Sequence, residues 1–394
     1  MASSPAETSE LRIRPLLRRD LEVVERLMLD ALESDTESGR LEVMQRVQQL
    51  RRWYGLLKGL SLFPNPLQHL LSTYVAEQDE QVRGVIQVSP FNRTRSTWRI
   101  EQIAVGQYSS GDFKQASLMD VGSQLLRYCL QSIWEARTWL IEVDVNDNSV
   151  IGLCRKTGFQ PLAQMTYWAI APDLWRVLAE RQPDLPNLLP VGNADAGLLC
   201  QLDTASMPPH VRQVFDRHIA DFKTGLLGSV TDGLGGWLAP VQVVSGYVFE
   251  PQRKAAIGYF RLQLCKDGSH PHEARLTVHP AYTWLYPELF CQMAQVVRGY
   301  PKQSLVVDSA DYQPEREDFL QQLGAEQTHH TLMMSRSVWH KLREAKPLEG
   351  LQLTDVLQNL QPVRKPVPSR FSLESGNGNG KPDAKPPGLS KDSN

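Results

Sequence analysis

Apolar and polar positions alternate along this chain in an order that occurs once and then begins again. Leu11 to Arg14 reads as a short strand, Pro15 ends it, and Asp20 is placed to cap a helix carrying Val23, Val24, Leu27 and Met28 on one face. Leu41 to Leu60 reads as helical and is broken at Pro64 and Pro66. Tyr74-Val75-Ala76-Glu77 and Gly84-Val85-Ile86-Gln87-Val88 flank a polar turn, Gln78 to Gln81, which predicts a β-hairpin. Trp98 to Val105 is the next strand, Val121 to Trp134 an amphipathic helix, and Trp139 to Val145 a buried strand. Val150, Ile151, Leu153 and Cys154 then share one face of a short helix, with Arg155 and Lys156 at its C-terminal end and Gly158 as the stop. Phe159 to Ile170 reads as a further pair of strands.

After a Pro-containing linker around Gln182 to Pro190, Pro190, Asp195 and Leu202 repeat the spacing of Pro15, Asp20 and Leu27. Val248-Phe249-Glu250 followed by Gly258 echoes Val75-Ala76-Glu77 followed by Gly84. Ala274 to Pro280 answers the strand ending at Val105, Ser304 to Asp308 answers the strand ending at Val145, and Phe319 to Ala325 stands where Leu153 to Phe159 stood. A period this long is a domain duplication, not a solenoid. The expected division is a polar, disordered N-terminus at 1–10, a first unit at 11–172, a linker at 173–189, a second unit at 190–345, and a largely disordered tail at 346–394. The tail is rich in Pro, Gly, Ser and Lys and has few apolar residues to bury.

Composition narrows the function classes. A chain of 394 residues with 41% hydrophobic residues can bury a core in each unit. A net charge of -2 without a basic, aromatic-interleaved run excludes general attraction to nucleic acid or an anionic membrane. The five cysteines lack CxxC spacing and an even count, which points to a reducing cytoplasm and no structural zinc. No secretory signal and no membrane-spanning run is evident. His270, His272, His329 and His330 lie in two separate segments without an acidic partner at ligand spacing, so no metal site is expected. The glycines between 225 and 236 read as a loop, since no strand precedes and no clear helix follows them.

The stretch Thr138 to Trp168 carries a resemblance. A strand, the loop residue Asn148, and a short helix closed by Leu153-Cys154-Arg155-Lys156-Thr157-Gly158-Phe159 resemble the acetyl-CoA-binding end of the GNAT family of N-acetyltransferases. The opening LRIRPLLRRDLEVVERL is similar to that family's first strand and helix. The resemblance implies an α/β fold of two tandem GNAT-like units, each a mixed, mostly antiparallel sheet flanked by helices. It also implies acetyl-CoA as co-substrate, no metal, and a small-molecule or protein amine as acceptor.

Residue by residue, the resemblance places the thioester against backbone amides near Ile103, Ala104 and Val105, in a groove where their strand leaves Leu140 to Val145. Glu101 stands where many members keep a carboxylate that removes the amine proton through water, and is otherwise an exposed strand-end residue. Val121, Gly122 and Ser123 match the helix start that holds a diphosphate, and Asn148 is placed to bond the pantetheine arm or to cap its helix. Cys154 takes the place of a Tyr that protonates the leaving thiolate, or else packs on an apolar face. The chain departs from the family at Asp120 and Ser117, which replace a Gly and an Arg or Gln, and in a long loop from Gly106 to Met119 whose sole basic residue is Lys114. Asp120 has an alternative role as a helix N-cap. The second unit has no glycine in AYTWLYPELFCQM and is read as a degenerate, supporting unit. Two functions remain open: an acyl-CoA-dependent N-acyltransferase, or a catalytically inactive scaffold or ligand-binding regulatory protein.

Overall fold

The computed structural model describes residues 10–31, 72–106, 118–223 and 241–338, all within one compact unit, Met1–His340. The sequence expectations for the N-terminus, the helical region Leu41 to Leu60, Lys114 and Ser117, the glycines between 225 and 236 and the tail lie outside these residues.

In the first half, β1 (Arg12–Pro15) leads through a 3-10 turn, Arg18–Asp20, into α1 (Leu21–Ala31). The Asp20 carboxylate accepts a hydrogen bond from the Leu17 amide at 2.8 Å, which closes the turn, and it is paired with Arg14. The predicted hairpin is β2 (Thr73–Gln78) and β3 (Gln81–Pro90). Its turn residues Asp79 and Glu80 have φ of 52° and 60°, the pair of left-handed values that a two-residue hairpin needs. β4 (Thr97–Val105) is followed by a π-turn at Leu118–Gly122 that runs into α2 (Ser123–Ser132), then β5 (Thr138–Asp144) and α3 (Asn148–Lys156). Gly158 takes φ 85° and ends α3 as its spacing predicts.

The second half repeats this order. β7 (Leu188–Pro190), a 3-10 turn and α5 (Ala196–Ser206) match β1 and α1, and Asp195 accepts from the Gly192 amide at 2.8 Å as Asp20 does from Leu17. Helix α6 (Pro209–Phe215) follows, then the hairpin β8 (Val241–Glu250) and β9 (Ala255–Cys265), strand β10 (His272–Val278), α7 (Leu285–Val297), β11 (Leu305–Ala310) and α8 (Pro314–Leu323). Gly324, at φ 82°, closes α8 as Gly158 closes α3.

The two units do not have separate sheets. Phe159 to Ile170, expected to be a strand pair, is dominated by one long strand, β6 (Gln160–Ile170), which leads into α4 (Pro172–Glu180). The missing partner comes from the end of the second half, β12 (Glu326–Ser337). The result is one 12-stranded sheet in the order β1-β2-β3-β4-β5-β12-β6-β11-β10-β9-β8-β7. That order is unchanged when the halves are interchanged, so each half has given its last strand to the other. Met334 of β12 is 0% exposed in the first core with Trp139, Ile141 and Leu153, while Trp168 and Ile170 of β6 belong to the second. Arg336 of β12 donates to the Thr157 carbonyl and so caps α3, an element of the other half.

Candidate functional site

Parallel strands pair only while they stay at ladder spacing. β4 and β5 pair from Thr97–Thr138 to Ile100–Ile141 and no further, although β4 continues to Val105 and β5 to Asp144. At the point of parting β4 also carries a bulge: Gln87 pairs with Gln102 and Val88 with Ile100, leaving Glu101 as the extra residue. β4 and β5 therefore part beside Ile103, Ala104 and Val105, where the groove is expected, and the bulge at Glu101 falls at the point of parting.

Glu101 accepts from the Ser89 hydroxyl at 2.5 Å and lies 3.8 Å from Arg99. Arg99 also reaches Glu142 of β5 at 3.3 Å. Glu142 accepts from Thr331 Oγ1 at 2.6 Å and from the Tyr167 hydroxyl, so its second neighbour strand is the exchanged β12. Burial, and then the carboxylate of Glu142, push the Tyr167 phenol well above its usual range. Arg99, Glu142, Tyr167 and Thr331 are the site residues that sequence reasoning missed. A carboxylate inside the apolar run of β5 is the signal that could have found Glu142.

The helix start expected to hold a diphosphate is built differently from the expectation. Asp120 lies inside the π-turn Leu118–Gly122, so it is an exposed helical residue and not the N-cap. Gly122 and Ser123 are buried in the following turn, and Ser123 Oγ donates to the Met119 carbonyl. A Cβ on Gly122 would stand 2.8 Å from Leu153 Cδ2 and 3.6 Å from Ile103 Cδ1, so this glycine lets the π-turn lie against both α3 and β4. Val121 is half-buried beside it and meets Gly84 of β3.

On α3, Asp147 is the N-cap, accepting from the Ser149 and Val150 amides at 3.1 and 2.9 Å. Asn148 is thus the first helical residue, exposed, and not the cap. Cys154 was read as a candidate proton donor. In the structure the thiol is 0% exposed in the apolar first core, as its packing alternative requires, and burial, followed by Asp147, pushes its pKa up to about 12.

The second half parts at the corresponding place. β10 and β11 pair from His272–Leu305 to Ala274–Val307, and beyond that they separate, without a bulge in the β9–β10 ladder. Here the gap is filled. Arg316 of α8, 3% exposed, donates to the Leu276 carbonyl of β10 at 2.6 Å and to the Asp308 carbonyl of β11 at 2.9 Å. Its guanidinium lies over the Tyr286 ring at 5.8 Å.

Among the described residues no group of three His, Cys, Asp or Glu could hold a metal ion, and no helix is long and apolar enough to cross a membrane. His272 is buried between the Cys265 amide and the Pro301 carbonyl, and His329 stacks on Tyr167.

No protein-family model and no curated protein sequence matches the chain. Solved structures do. A GCN5-related N-acetyltransferase from Sphaerobacter thermophilus is 13% identical, with 83% of this chain and 95% of that one covered and a TM-score of 0.51. The fold is that of the GNAT N-acetyltransferases. In this chain two such units follow one another and share a sheet. A tandem GNAT protein from the clavulanic acid biosynthesis pathway is 14% identical, covering 84% and 100%, at a TM-score of 0.48. A Pyrococcus horikoshii protein described as a possible acetyltransferase is 10% identical, covering 86% and 92%, at 0.47.

Proposed function

We propose that the chain is an acyl-CoA-dependent N-acyltransferase that passes acetyl from acetyl-CoA directly to an amine, with its site in the first half. The observation that carries this reading is the parting of β4 from β5 at a bulge that holds Glu101. Peptide groups of a strand that has lost its neighbour offer donors and acceptors to an extended pantetheine arm. The amides near Ile103, Ala104 and Val105 would meet the thioester oxygen as negative charge develops on it. The diphosphate would then lie near Val121 and Gly122 of the π-turn and Ser123 at the start of α2, on the side of the exposed Asn148 at the start of α3.

In this reaction the amine nitrogen bonds to the thioester carbon, the carbon–sulfur bond breaks, and the thiolate departs. Glu101 takes the amine's proton through a water, and Ser89 and Arg99 hold that carboxylate in place. Glu142, bonded by Arg99, Thr331 and Tyr167, is fully engaged and serves to position Arg99. Since Cys154 is sealed in the core, the thiolate takes its proton from solvent.

The buried Cys154 and the exposed Asp120 at the helix start favour a second reading, an inactive GNAT-like scaffold that binds a ligand or partner. One experiment separates the two. The whole chain is titrated with acetyl-CoA by calorimetry, then assayed for thiol release against a panel of small amines and lysine peptides. Binding and release in the wild type, with release at least about 100-fold slower in Glu101→Gln at similar affinity, supports the transferase. Binding without release for any amine supports the scaffold, and absence of binding removes the cleft from both.

A further inference from the structure

The two halves correspond closely enough to be compared position by position. A Cβ on Gly84 would meet Val121 and Leu125 at 2.9 and 3.2 Å, and one on Gly258 would meet Leu285 and Leu289 at 3.2 and 3.0 Å. α2 and α7 therefore sit on equivalent glycines, and Tyr286 takes the place of Gly122. Gly158 and Gly324 close α3 and α8 with matching φ. Arg316 lies as far before Gly324 as Val150 lies before Gly158, so Arg316 takes the place of Val150.

From this correspondence we infer that Arg316 is a built-in occupant of the second cleft, that Val150 is what leaves the first cleft open, and that the chain therefore takes one acyl-CoA and not two. This rests on the first-half site proposed above. Beyond the last paired residues, β10 and β11 each turn a carbonyl into the gap, from Leu276 and Asp308. Buried carbonyls without a donor are costly, and the guanidinium supplies two N–H groups in a planar fork that bridges them. Tyr286 backs it with a ring face where the first half has only the hydrogen of Gly122. A pantetheine arm would have to displace a side chain that is 3% exposed and bonded to both walls. In the first half the equivalent side chain is an aliphatic one packed partly into the core with Leu153 and Cys154, and it has no donor to bridge the strands.

The exchange of one residue type tests this. Calorimetry of the full chain with coenzyme A should give one molecule per chain. Val150→Arg should weaken that binding at least about 100-fold, with melting within a few degrees of wild type. Val177→Arg, at a 64% exposed position on α4, controls for an added charge and should bind as wild type does. Two molecules per chain, or tight binding by a folded Val150→Arg, would overturn the inference. A second measurement needs neither a ligand nor a folded Val150→Arg. Hydrogen exchange of residues 275–278 in Arg316→Leu should be at least about tenfold faster than in wild type. Unchanged exchange there shows that Arg316 does not hold the cleft. A wild type that binds no coenzyme A defeats the proposed function, and the exchange experiment still decides what Arg316 does.

Discussion

A methyl group added at Gly122 has nowhere to go. Its contact of 2.8 Å is with Leu153, itself 0% exposed, so either α3 or the π-turn must shift. Overpacking of this kind costs about 1–3 kcal/mol, against a helix-propensity gain of about 1 kcal/mol for replacing glycine. Gly122→Ala should lose about 1 kcal/mol net in urea denaturation, and a gain would show that the turn is loosely packed. His272 predicts a pH effect. Its ring is 0% exposed, with Nδ1 accepting from the Cys265 amide and Nε2 donating to the Pro301 carbonyl, which fixes the neutral form. Burial, and to a lesser extent His270, hold its pKa below the usual 6.5, outweighing the opposing bond to Pro301. The unfolded chain then binds the proton that the folded chain refuses. The contribution of His272 is therefore fully present above about pH 6.5 and is lost as pH falls below it. Comparing the melting points of wild type and His272→Gln from pH 7.5 to 5.5 should show a shallower decline in the variant. Parallel curves would mean that His272 does not titrate in this range.

At the scale of elements, the exchanged strand is where sequence position and structural role part company. Met334 is written in the second half and buried in the first core. Met334→Ala should cost about 2–5 kcal/mol, as for other buried Met truncations. It should also speed hydrogen exchange in β5, which pairs with β12 from Thr138–Ser337 to Asp144–Thr331. A loss below about 1 kcal/mol would mean that β12 is a loosely held insert. Most elements were legible in the sequence because their signals are local: period-2 runs, the Asp79-Glu80 turn, and the glycines that close α3 and α8. The partnership of β6 with β12 was not legible, because nothing within either strand names a neighbour more than a hundred residues away. The parting of β4 from β5 was expected only through family resemblance, carried by Asn148 and Lys156-Thr157-Gly158. Arg316 was passed over because one arginine in the first turn of a polar helix is ordinarily a solvated residue. Cys154 was ambiguous for a related reason, since a thiol on an apolar helix face suits packing and proton donation equally until its burial is known.

On the scale of the whole molecule, the shared sheet makes the halves inseparable. A fragment of residues 1–175 would expose both flanks of the gap between β5 and β6 and lose Met334 and the Arg336 cap. Expressed alone, it should lack a cooperative melting transition, and co-expression with residues 176–394 should restore one. A fragment that melts cooperatively by itself would show that β6 can close onto β5 without help. The strand order also constrains how the protein is made. Synthesis runs from the N-terminus, so β5 and β6 leave the ribosome long before Glu326–Ser337, the strand that lies between them. Throughout that interval the nascent chain carries two open strand edges and an incomplete core. A premature stop near residue 325 would release nearly the whole protein in that state, ready to pair with any neighbouring chain.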